Sequence, residues 1–225
     1  MTLNISGITV EVSRKKIKNM HLHVKPPDGR VTVSAPMRMS NAAIERFVRS
    51  KADWIREKVA KFENQQPPSE YITGEKLCVW GKVYDLRVEN GSRNVIALTE
   101  NTAVLTVKPG NTIEQRERVV REWYRGLLKA ETTRLLPEWE KITGLKTSGW
   151  QTKIMKTRWG TCNTTTGKIW LNVLLAAKPP ECLEYVLLHE LVHLAEPNHG
   201  AAFKALMDSF MPHWREVRKA LNDRS

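Results

Sequence analysis

Long apolar runs are missing from this 225-residue chain. No stretch approaches the roughly 18–20 apolar residues that a helix needs to cross a bilayer. The opening MTLNISGITVEVSRKK also lacks a basic-then-apolar signal layout, so an intracellular, cytoplasmic protein is expected. Cysteine is scarce and odd in number. Cys78, Cys162 and Cys182 cannot all pair and no two form a CxxC, which argues against a disulfide framework and a zinc ribbon. No low-complexity linker and no internal repeat is apparent. Acidic residues are outnumbered, 24 Asp+Glu against 36 Lys+Arg, for a net charge of +12. Residues 1–62 hold 13 Lys/Arg and only 5 Asp/Glu. A nucleic-acid partner bound through Lys/Arg of residues 14–61 would account for that surplus, and so would a basic, well-solvated surface.

What is present has the balance of a folded chain. With 41% hydrophobic and 27% charged residues, disordered and fibrous classes are excluded. The length allows one large domain or two small ones. Alternating runs predict strands at Ile8–Val12, His21–Val24 and Val31–Val33, with Pro26-Pro-Asp-Gly29 as a turn. Ser40 or Asn41 caps a helix whose apolar positions are Ile44, Phe47, Val48, Trp54, Ile55 and Val59, and Pro67-Pro68 stops it. Further strands follow at 77–80, 83–88, 95–98 and 103–107. Pro109-Gly110 is then the expected boundary between a β-rich N-terminal domain, 1–110, and a second domain, 111–225. The second should open with a helix over 112–136 that ends at Pro137. Short strands at 152–155, 157–161 and 168–174 follow, then a helix over 181–195 and a last helical stretch from Ala201 interrupted at Pro212. The whole reads as an α+β protein.

The chemistry lies in His189-Glu-Leu-Val-His193, an H-E-x-x-H inside a nearly apolar helix. At about 100° per residue the two histidines stand roughly 40° apart around the axis and ~6 Å apart along it. Both imidazoles can therefore reach one tetrahedral Zn²⁺. Glu190 projects beside them, where it can take a proton from a zinc-activated water. A buried helix of Leu187, Leu188, Leu191, Val192 and Leu194 would not carry imidazoles and a carboxylate without partners, and a metal supplies them. Two residues can provide a third ligand. Pro197 ends the helix and lets the chain swing His199 back, while Glu196 lies near the helix end. A glutamate at 196 replaces the glycine of the metzincin pattern, so that class is not expected. Arg158 and His213 are candidates to polarise a carbonyl. Tyr185 reads as core more than site, as do Trp159 and Trp170, and His21 and His23 read as surface groups.

Taken together, Arg158-Trp-Gly-Thr-Cys162, Lys168-Ile-Trp-Leu-Asn172, Glu184–His193, Asn198-His-Gly200 with Phe203, and Met211-Pro-His-Trp214 resemble the YgjP-like metallopeptidases, relatives of the SprT-type zincin-fold proteases. Thr161 stands where that family has serine. Val31-Thr-Val-Ser-Ala-Pro36 and the Trp54-Ile55 helix extend the resemblance over nearly the whole chain. It implies zinc held by His189, His193 and His199, Glu190 as catalytic base, a zincin-like C-terminal domain, and hydrolysis of peptide bonds in a protein or peptide substrate. In such folds an edge strand before the active-site helix holds the substrate, here 168–174 or its hairpin partner. Two alternatives stay open: a DNA-associated protease, and a nucleic-acid-binding protein with a purely structural zinc.

Overall fold

The computed structural model describes residues 1–25, 29–63 and 69–223, and the chain divides into two units, Met1–Pro68 and Ser69–Ser225. The turn expected at residues 26–28 and the Pro67-Pro68 stop lie outside the described residues.

In the first unit β1 (Thr2–Ile5) and β2 (Ile8–Lys15) form a hairpin, followed by β3 (His21–Lys25) and β4 (Arg30–Pro36). The sheet order is β1-β2-β4-β3, with β2 and β4 parallel. Alternation places Val10, Val12, Val31, Val33 and Ala35 on one face, where they bury against Ile44, Val48 and Ile55. The single helix expected here is two: α1 (Asn41–Arg49), capped by the Ser40 side chain, and α2 (Ala52–Glu63). The Ser50 N–H closes α1 onto Arg46 and Val48 carbonyls. The break resets the helical phase, so Ile55 is buried and Trp54 is exposed. His21 and His23 face solvent, as expected.

The second unit begins with β5 (Lys76–Val79), β6 (Lys82–Asn90), β7 (Val95–Leu98), β8 (Thr102–Val107) and the long helix α3 (Ile113–Thr143). Its first sheet runs β5-β6-β8-β7, with β6 and β8 parallel, which is the order and sense of the first unit's sheet. The likeness extends to detail. Each opening hairpin turns through two left-handed residues, Ser6-Gly7 and Trp80-Gly81. Each sheet leads to a capped helix, at Ser40 and Thr112, that continues Glu45-Arg-Phe-Val-Arg49 in one and Glu117-Arg-Val-Val-Arg121 in the other. The chain therefore contains a repeated ββββα unit. Different strand lengths and a changed core, such as Ile44 against Arg116, hide it from inspection of the sequence.

The division falls after Pro68, and not at Pro109-Gly110 as expected. Leu77, Leu86 and Leu105 share one core with Leu128, Ile169, Leu171 and Leu187, so the β5–β8 sheet cannot be parted from the helices and strands downstream of it. The Trp80 N–H donates to Ala176 O at 2.8 Å, and Tyr124 OH donates to Cys78 O. Pro137 also does not end α3. Beyond it Trp139 packs on the core and Glu140 accepts from Thr147 N at 2.9 Å, which hold the last turns until Gly144 closes the helix at φ 70°.

A further sheet is built from β9 (Gly149–Lys153), β10 (Gly160–Asn163) and β11 (Lys168–Asn172), in the order β10-β11-β9. A short 3-10 turn, Val173–Ala177, leads into α4 (Pro180–Val192), and α5 (Ala201–Phe210) and α6 (Trp214–Asn222) complete the unit. The expected strands at 154–159 are absent. There the backbone bonds to Asn172: its Nδ2 donates to Met155 O and Arg158 O, both at 2.8 Å, and its N–H to Trp159 O at 2.8 Å. No helix among the described residues is long and apolar enough to cross a membrane. All three cysteines are free.

Candidate active site

Helix α4 is apolar nearly all round, with Leu183, Leu187, Leu188 and Leu191 fully buried. Its direction is set by Pro180 at its first turn and by burial on every side. Glu190 lies inside at 5% exposure, and His189 and His193 are half-buried at the C-terminal end. The helix closes at His193, three residues before Glu196, and a turn through Leu194 and Ala195 reverses the chain. Pro197 and Asn198 follow, and His199 returns to the end of α4.

The coordinating atoms of His189, His193 and His199 all lie within 4.8 Å of one another. His189 Nε2 and His199 Nε2 are 3.0 Å apart. The His193 Nδ1–H donates to the Glu196 carbonyl at 3.1 Å, which turns its Nε2 toward the cluster. Glu196 thus enters through its backbone oxygen, and the cluster is formed with His199. Beneath the three rings sits Phe203 of α5, with ring centroids 4.8 to 4.9 Å from each histidine. Burial, with the neighbouring His193, His199 and Arg218, pushes the His189 imidazole down to about 3, so it is neutral. Three imidazoles whose ring nitrogens converge are a donor set that suits a divalent metal, and the three residues fit one.

Glu190 faces β10. A Cβ on Gly160 would stand 2.5 Å from Glu190 Oε1 and 2.8 Å from Val186 Cγ1, so only glycine lets strand and helix approach this closely. Burial pushes the Glu190 carboxyl up to about 8, against the opposing charge of Arg158. A carboxyl poised near neutrality beside converging imidazoles can exchange protons with a water.

These groups line a cleft of about 620 Å³. Arg158, Trp159, Gly160 and Cys162 bound it on the β10 side, and Tyr185, Lys204, Trp214 and Arg218 on the helical side. Tyr185 is buried, stacks on Trp214 with centroids 6.2 Å apart, and still reaches the wall, so it is core and lining at once. Trp159 lines the cleft and donates to Asn222 Oδ1 at 3.3 Å. His213 does not line it; it is exposed at the N-terminus of α6. Trp170 stands apart on β11. That strand is paired on both sides, so the free edge beside the cleft is its hairpin partner β10. Sequence patterning does not single out Phe203 as a support, Asn172 as the tie of the Arg158 loop, or Lys204 and Arg218. The asparagine and the phenylalanine stand in the sequence only as letters among the resembling segments.

Residues 18–224 match the family described as YgjP-like, metallopeptidase domain. None of the curated proteins matches the chain. Among solved structures it is similar to two metallopeptidase zymogens. Abylysin of Pyrococcus abyssi is 21% identical, with a TM-score of 0.38 over 40% of this chain and 90% of that one. Jannalysin of Methanocaldococcus jannaschii is 22% identical, with a TM-score of 0.37 over 40% and 87%. The family match runs through all of α4 and its returning loop and leaves out only the first 17 residues and the last one, so the chain belongs to the YgjP-like metallopeptidases and is a metalloprotease.

Proposed function

We propose that this metallopeptidase is a zincin-type enzyme in which His189, His193 and His199 hold a zinc ion and Glu190 is the general base. The observation that carries the reading is the convergence of three imidazoles beside one buried carboxylate on the wall of an open cleft. A structural zinc is closed by four protein ligands, whereas the cluster among the described residues has three. When bound, the ion supplies Lewis acidity to a water and to the scissile carbonyl. Glu190 takes the proton that the water gives up and passes it to the leaving amine. Arg158, on the same wall, is placed to offset negative charge on the carbonyl oxygen. The edge of β10 receives the substrate as an added strand, aligning the peptide along the cleft.

The nucleic-acid expectation draws no support from the family. Part of the basic surplus in the first unit is engaged internally: Arg14 donates to Asn41 at 2.7 Å, and Arg30 and Arg56 pair with Glu11 and Asp53.

Substitution separates metal holding from chemistry. His189→Ala, His193→Ala and His199→Ala should each lose most bound zinc by elemental analysis. Glu190→Gln should keep its zinc and lose at least ~10²–10⁴-fold in cleavage of an unfolded protein, the contribution of positioned acid–base catalysis. Cleavage at the parent rate removes Glu190 from the mechanism, and zinc retained by His199→Ala removes His199 from the ligand set.

A further inference from the structure

Cations from three separate elements meet at the cleft. Arg158 comes from the loop before β10, Lys204 from α5 and Arg218 from α6, while Glu190 is the one acidic residue among the described residues that line it. Lys204, Trp214, Arg218 and Asn222 also line a neighbouring groove of about 490 Å³, together with Arg215, Lys219 and Asp223. The cleft therefore continues as a groove over α6.

Arg215 is already engaged there, paired with Asp208 and lying 4.5 Å over the Trp214 ring. Lys204, Arg218 and Lys219 are exposed, and none makes a side-chain hydrogen bond or ion pair among the described residues. Unpaired cations on a concave wall concentrate positive potential and favour an anionic occupant. A neutral peptide would leave their charge unanswered, and a basic one would be repelled. The guanidinium of Arg218 presents a planar fork suited to a carboxylate, with Lys204 as a second, mobile donor.

We infer that the substrate segment running from the cleft over α6 is acidic, and that Lys204 and Arg218 are the specificity residues that read its Asp or Glu side chains. This rests on the peptidase reading, because the groove opens from the cleft in which Glu190 and the histidines lie.

The test uses the full-length, zinc-loaded Glu190→Gln protein, which separates binding from turnover. Two short, unstructured, fluorescein-labelled peptides are titrated by anisotropy, one Glu-rich and the other carrying Gln at every Glu position. The acidic peptide should bind at least about tenfold tighter at low salt, as charge-assisted bonds predict. The preference should collapse near ~1 M salt, where screening acts over ~3 Å. Lys204→Glu combined with Arg218→Glu should abolish it, with the thermal midpoint monitored. The single exposed change Arg218→Gln, which carries little folding risk, should weaken the acidic peptide several-fold and leave the Gln peptide unaffected. Equal binding of the two peptides overturns the inference, as does a preference that survives the double reversal. Tighter binding of a single-stranded oligonucleotide, lost on the same reversal, would also overturn it and assign the groove to nucleic acid. Cleavage of an unfolded protein by the parent is measured in parallel. If the parent cleaves nothing, the peptidase reading fails while the peptide titration still decides the groove.

Discussion

Asn172 organises one wall of the cleft although no atom of it takes part in the chemistry. At 2% exposure it donates to the carbonyls of Met155 and Arg158, and its Oδ1 accepts from Leu174 N at 3.2 Å. The loop carrying Arg158, Trp159 and Gly160 is thus shaped by a side chain and not by a strand ladder. Asn172→Asp would set a buried acceptor against the Met155 and Arg158 carbonyls. We expect a loss of about 2–3 kcal/mol, read from the urea midpoint, and a fall in peptidase activity beyond the loss of folded protein. Gly160 sits at the end of the same loop. Gly160→Ala forces β10 away from α4 or displaces the Glu190 carboxylate. The expected cost is ~1–3 kcal/mol for overpacking. Because the clash falls on Glu190 and not on the histidines, kcat/KM should drop far more than zinc content does.

Helix α3 shows how packing overrules local preference at the scale of an element. Proline removes an intrahelical bond and ordinarily breaks a helix. Here Leu135 and Leu136 before Pro137, and Trp139 after it, pack on one continuous core that carries the helix through. Earlier in α3, Tyr124 joins the helix to β5 through its bond to Cys78 O. Its burial, followed by the influence of Tyr71 and Cys78, raises the phenol well above its ordinary 10. The folded state therefore keeps this proton at a pH where the unfolded chain has released it. Stability contributed by Tyr124 is intact below about pH 10 and declines as pH rises beyond that value. Tyr124→Phe should cost about 1 kcal/mol at neutral pH. It should also lose less stability than the parent between pH 9 and 11, so urea midpoints of the two proteins converge across that range.

For the whole molecule, the two units make unequal cores. Among the described residues the first buries nine hydrophobic side chains in its cluster, whereas the second builds a single core from both of its sheets and its helices. Residues 69–225 expressed alone should fold cooperatively and bind one zinc per chain, since all three histidines and Phe203 lie within them. Residues 1–68 alone should be marginal, because so short a chain buries too little surface to offset its entropy. Calorimetry and metal analysis of the two fragments check both statements; a 69–225 fragment that fails to fold would make the first unit part of the catalytic core. By itself the sequence determined the features that local geometry controls. The i, i+4 relation of His189 and His193 follows from helical pitch, and a cap at Ser40 or Asn41, of which the structure uses Ser40, from unsatisfied N–H groups. The return of His199 was legible because Pro197 acts on its immediate neighbour. Tertiary structure alone decided which sheet joins which core, the passage of α3 through Pro137, and the meeting of Arg158, Lys204 and Arg218 at one cleft. These depend on surfaces contributed by residues far apart in the chain, whose contact free energies no local pattern encodes.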